Sequence, residues 1–217
     1  MARRQFPASE QDSPWKEALD RFLRPFLALF FPVIHKAVDW ARGYQALDKE
    51  FQQIIRKGKI GKRLADKLFK VWTNHGDECW LLIHIEVQGQ VEVGFAERMF
   101  VYNYRAFDLY NRPVVSLAVL CDDQPDWRPD GFSYERFGCI MGIRFPSVKL
   151  LDYAGISHDL ENSENQFAAV VLAHLKARET RRDMQARHAW KVRLVKGLYE
   201  RGWSAAGARK TCASSFG

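Results

Sequence analysis

The chain of 217 residues predicts an α/β fold, and three observations carry that expectation. Two aliphatic and aromatic runs, 64–72 and 79–88, flank a turn-forming Asn74-His75-Gly76-Asp77, which reads as a β-hairpin. Phe95 to Tyr110 repeats its apolar residues at helical spacing and leads into Val114–Leu120, an almost unbroken apolar run suited to a strand buried on both faces. From Asn165 onward the pattern is wholly helical.

Taken in order, residues 1–13 are polar and are expected to be a flexible N-terminus. Ser13 and Pro14 suit a helix start, and Trp15, Leu19, Phe22 and Leu23 recur at helical spacing until Pro25 and Pro32 break the pattern. Tyr44 to Ile55 predicts a second helix that buries Leu47, Phe51, Ile54 and Ile55, turns Asp48 outward and leaves Glu50 near the boundary. The hairpin follows. Phe95, Met99, Tyr102, Ala106 and Leu109 then form the inner stripe of a crossover helix, with Arg98 and Arg105 beside it. A third strand is expected within Phe137 to Val148 or Val91 to Gly94. Phe167 to Lys176 is the next helix, and Asp183 caps another that runs through Leu198. Ser204 to Gly217 loses the periodicity and is expected to be disordered.

A composition of 47% hydrophobic residues supports a full core, so the chain is globular. A net charge of +7 favours an anionic partner such as nucleic acid. Basic residues cluster at Lys57 to Arg63 and Arg178 to Arg187, which are backbone-contact candidates, although clusters of that size also occur on solvated surfaces. Cys79, Cys121, Cys139 and Cys212 have no metal-ligand spacing and read as reduced, mostly buried thiols of a cytoplasmic protein. The apolar run Phe26 to Phe31 is too short to span a bilayer.

The hairpin carries the chemistry. Pairing centred on Gly76 sets Asp66 opposite Glu86, with Cβ atoms about 5 Å apart. His84, Glu86 and Gln88 then project from one face. Two carboxylates so close need a cation or a proton, and oxygen donors with water suit Mg²⁺, or Mn²⁺ in its place. Each residue also has a plainer reading: Asp66 as a strand-edge acid, Gln88 as a partner of a neighbouring backbone, His84 as a satisfied core histidine, Glu50 as a helix-surface acid and Tyr102 as core. An unpaired Glu86 in a buried strand would be costly. His84-x-Glu86 without a Pro-Cys-x-x-Cys partner excludes a zinc deaminase.

Asp12 to Lys16, Leu47 to Glu50, His84 to Gln88, Phe95 to Arg105, Lys149 to Tyr153 and Leu198 to Trp203 together resemble the Rpn family of recombination-promoting nucleases and transposases, a branch of the PD-(D/E)xK superfamily. The resemblance implies a restriction-endonuclease-like core of order αβββαβ at 14–160, with a helical C-terminal flank at 161–203. It further implies a metal-dependent DNA endonuclease acting in recombination or transposition. Asp66 and Glu86 would hold the metal, with Glu50 as a supplementary ligand, Gln88 would orient the water, and Arg98, Tyr102 and Arg105 would face the substrate. DNA is the expected partner and a homodimer a further candidate. Gln88 stands where the superfamily usually carries lysine, although the Rpn branch resembles this chain in having Glu-x-Gln. A neutral amide supplies no positive charge and no base. The alternative is a catalytically inactive DNA-binding or transposase-associated protein that keeps the fold.

Overall fold

A computed structural model describes residues 9–51, 67–86 and 94–200, with side chains placed for 15–51, 67–83 and 94–198. The chain forms two compact units, one spanning Val33–Lys149 and the other joining Met1–Pro32 to Leu150–Gly217. The first is α/β and the second, over its described residues, is helical. No helix among the described residues is long and apolar enough to cross a membrane.

Five strands make one mixed sheet in the α/β unit: β1 (Gln45–Ala46), β2 (Lys67–Trp72), β3 (Glu78–Glu86), β4 (Val114–Leu120) and β7 (Ser147–Lys149), side by side in that order. β1, β2 and β3 are antiparallel neighbours, whereas β4 runs parallel to both β3 and β7. A parallel pair needs a crossover connection. The helix Phe95–Tyr110 supplies it, and strand and helix bounds both match the sequence expectation. Called α3 here, it follows α1 (Ser9–Phe30) and α2 (Pro32–Ala37). It ends at Asn111, which adopts the left-handed conformation and returns its N–H to the Phe107 carbonyl. On the α3 side of the sheet, Leu68, Trp80 and Leu82 pack with Phe51, Tyr102 and Ala106, and Ala118 and Leu120 pack with Phe95 and Met99. The opposite side is apolar too, since Phe69, Val71, Leu81, Ile83, Leu117 and Val119 are all buried, as expected of central strands.

Four expectations change. The predicted helix from Tyr44 is preceded by β1, because Leu47 N–H donates to Leu68 O and draws this stretch into the sheet; helix begins at Asp48 and continues to Phe51, where description stops. Helix α1 already includes Ser9–Ser13, so Ser13 is not its cap. Pro25 bends α1 without ending it: the non-helical residue is Phe22, three positions before the proline, near the carbonyl that its ring would strike. Residues 14–32 and 150–160 belong with the C-terminal helices and not with the sheet, because Trp15, Phe26 and Phe30 each pack on Phe167.

The third expected strand is found in part, as β7 at the end of the predicted window. The preceding residues form a separate two-stranded ribbon, β5 (Gly131–Arg136) with β6 (Cys139–Arg144). In the helical unit a short 3₁₀ segment, Leu150–Ile156, leads to α4 (Ser157–Asn162), α5 (Gln166–Glu179) and α6 (Met184–Glu200). Asn165 caps α5 by accepting from Phe167 N–H; Asp183 caps α6 by accepting from Gln185 and Ala186 N–H, the cap that the sequence implied.

Candidate metal and phosphate site

The β2–β3 hairpin closes through a three-residue loop. Gly76 N–H donates to Thr73 O and Thr73 N–H to Asp77 O, so Asn74-His75-Gly76 is the loop and Gly76, at φ 92°, takes its left-handed last position. His75 is therefore the centre of pairing. Lys67 opposes Ile83 and Trp72 opposes Glu78, a register two residues away from that expected with Gly76 at the centre. The expectation placed the glycine at the symmetry point, whereas this turn type needs it one residue later. A shift of two keeps every side chain on its face, so the parity relation between the described strands stands.

Asp66 and Gln88 lie outside the described residues. Glu86 is the last residue of β3, and its backbone pairs with Leu120 of β4, which in turn pairs with Lys149 of β7. One row thus joins Glu86, the last described residue of β3, to the carboxyl ends of β4 and β7. Leu120 packs against Phe95 and Met99, so this row lies under the first turns of α3, where Arg98 also sits. Open α/β sheets bind ligands at the carboxyl ends of their strands.

Arg98 is only 4% exposed, with its guanidinium carbon 5.4 Å from the centre of the Phe95 ring, and so offers a bound phosphate almost no surface. Tyr102, which the resemblance turned toward substrate, instead takes its plainer reading as core: it is 3% exposed and its ring lies 6.2 Å from that of Phe51. Arg105 is half-buried. Glu50 lies toward the other end of α3, where the Tyr110 hydroxyl donates to its carbonyl at 3.2 Å. Burial, and then the Glu50 charge, raises the Tyr110 hydroxyl above its usual range. Tyr110 packs on Trp80, six residues before Glu86 and about 20 Å away along the strand. The structure therefore joins Arg98 to the Glu86 end of the sheet and brings Glu50 to Tyr110 instead.

Two ion pairs went unforeseen. Lys67, adjoining Asp66 in sequence, is 8% exposed and binds Asp48 at 2.9 Å, while Asp48 faces outward as expected, its side chain 61% exposed. Lys149 and Asp122 are buried together beyond β4, and Lys149 also donates to the Trp127 carbonyl at 3.1 Å. An acid directly after the apolar run 114–121 was the available signal for the second pair. Among the described residues, no three His, Cys, Asp or Glu side chains gather around a space for a metal ion. Comparison with models of known families, with curated proteins and with solved structures finds no match to this chain.

Proposed function

We propose that the chain is a Mg²⁺-dependent DNA endonuclease with a restriction-endonuclease-like core. The observation that carries the reading is the hairpin register: paired residues sum to 150, and Leu68, Trp80 and Leu82 share the α3 side, where Leu68 opposes Leu82. A ladder continued one residue beyond the described strand would set Asp66 opposite position 84 and diagonal to Glu86. Positions so related are about 7–8 Å apart at Cα, within the reach of two carboxylates on one cation. The proposed donor set, two hard carboxylate ligands with water completing the shell, suits Mg²⁺.

When bound, the ion would lower the pKa of a coordinated water and offset charge on the phosphate. Asp66 and Glu86 hold it, and Gln88 orients the attacking water through its amide. Arg98, buried beneath α3, acts on the site through its charge and not by touching substrate. The net charge of +7 draws DNA toward the chain.

A supercoiled-plasmid nicking assay tests the reading. Wild type nicks with Mg²⁺ or Mn²⁺ and stops with EDTA, while Glu86→Gln, which keeps shape and removes the charge, binds DNA but does not nick. Equal cleavage by both proteins, or by neither, rejects the nuclease reading. Gln88 in place of a lysine favours a second reading, a non-cutting DNA-binding protein, and absence of nicking with retained DNA binding is its signature.

A further inference from the structure

The β5–β6 ribbon and the outer stripe of α3 expose more aromatic surface than their own chain covers. Phe100, Tyr104 and Phe107 lie at helical spacing along the side of α3 turned away from the sheet. The ribbon covers only the first of them: Phe132 and Tyr134 contact the Phe100 ring at 5.5 and 6.3 Å. Tyr104 and Phe107 remain half exposed, at 52% and 50%. At the far end of the ribbon, Phe137 and Gly138 both have positive φ, 53° and 81°, and form the two-residue turn between Arg136 and Cys139. This turn holds the Phe137 ring fully in solvent, with Ile140 next to it 69% exposed. A two-stranded ribbon is marginal in water unless it packs on something.

The charges form a complementary set. Asp108 follows Phe107 on α3 and Arg136 precedes Phe137 on the ribbon; both are exposed, and neither has an ion-pair partner among the described residues. Exposed charges on the two elements are Glu97, Asp108 and Glu135 against Arg136 and Arg144, a nearly neutral set that would attract a phosphate backbone poorly. An aromatic knob beside an arginine and an aromatic stripe beside an aspartate, on one molecule, are the two halves of an isologous contact, in which residue i of one copy meets residue j of the other and j meets i.

We propose that this surface joins two copies of the chain about a twofold axis. Each copy seats its Phe137 turn on Tyr104 and Phe107 of the other, with Arg136 facing Asp108. The inference is independent of the nuclease reading, because none of these residues belongs to the proposed metal site.

Sedimentation velocity on the full chain across the micromolar range tests it. Wild type should sediment as a dimer, while Phe137→Ser and Phe107→Ser, both at exposed positions, should be folded monomers by circular dichroism. Arg136→Glu and Asp108→Arg should each raise the dissociation constant roughly tenfold, since the twofold axis repeats the contact, and the double reversal should restore it. A wild type that stays monomeric, a dimer indifferent to Phe137→Ser, or reversals that add without rescue would each overturn the proposal. Loss of oligonucleotide affinity on Phe137→Ser in a protein that stays monomeric would assign the surface to nucleic acid and would overturn it as well.

Discussion

Lys149 and Asp122 are ion-paired at 2.5 Å with side-chain exposures of 1% and 0%. The ammonium also lies 5.5 Å from the Trp127 ring centre. Removing one partner of a buried pair leaves a charge that the interior cannot solvate. Lys149→Met should therefore cost about 3–5 kcal/mol, whereas Lys149→Met with Asp122→Leu should recover much of that loss. Urea denaturation midpoints check both, and a single variant as stable as wild type would show that water reaches the pair.

At Gly76, strain and crowding can be told apart. A Cβ there meets nothing within 4 Å, so the φ of 92° alone opposes a side chain. Gly76→Ala should cost about 1 kcal/mol or more, and Gly76→Asn less, since asparagine tolerates the left-handed region. Equal stability of all three proteins would mean that the turn relaxes to another type.

Three cysteines should differ in reactivity. Cys139 is exposed, Cys79 half-buried and Cys121 buried, which corrects the expectation of mostly buried thiols. Burial pushes the Cys79 thiol above its ordinary 9.0, so less of the reactive thiolate is present at any given pH. Iodoacetamide should label Cys139 first, Cys79 next and Cys121 last, with the Cys79 rate still climbing beyond pH 9.0. Peptide mapping by mass spectrometry reads the order.

The same shift bears on alkaline stability. Cys79, Tyr110 and Tyr153 all hold their protons more tightly when folded, chiefly through burial. Their contribution is complete below the unfolded values of 9.0 and 10.0 and is lost as pH rises through the higher folded ones. Tyr110→Phe should accordingly flatten the fall in denaturation midpoint above pH 10.0, and an unchanged alkaline limb would refute it.

On the proposed nuclease reading, duplex DNA binding should weaken linearly with log salt concentration. Arg181 and Arg182 stand exposed in the turn between α5 and α6. Arg181→Glu with Arg182→Glu should lower affinity for all sequences alike and reduce the salt slope by about 2. Fluorescence anisotropy at several salt concentrations would detect this, and an unaltered slope would remove these arginines from the interface.

Where a segment's pattern is decided by its own neighbours, the sequence was legible. The apolar stripe of α3, the unbroken apolar run of β4 and the Asp183 cap each depend on local periodicity or local hydrogen bonding, and each came out as expected. The hairpin was legible as an element but not in register, because Asn-His-Gly-Asp permits more than one loop and the hydrogen bonds from Thr73 choose between them. β1 was hidden because Leu47 and Phe51 satisfy a helical pattern while Leu68 claims Leu47 for the sheet. In the candidate site, the placement of Glu86 on a strand was readable. The burial of Arg98 and the pairing of Glu50 with Tyr110 were not, because both depend on how α3 packs and not on spacing.

The helical unit is assembled from both ends of the chain, and its centre is α5, in which Phe167–Ala173 and Leu175 are all buried. During synthesis, Leu19, Leu23 and Phe26 of α1 leave the ribosome well before Phe167, the ring against which Phe26 packs at 5.0 Å. At about 5–20 residues per second, the roughly 140 residues between them take about 7–28 s to translate. For that time the nascent chain exposes an amphipathic helix with no mate, a natural substrate for a ribosome-associated chaperone, while residues 33–149 of the α/β unit emerge one after another in the same interval.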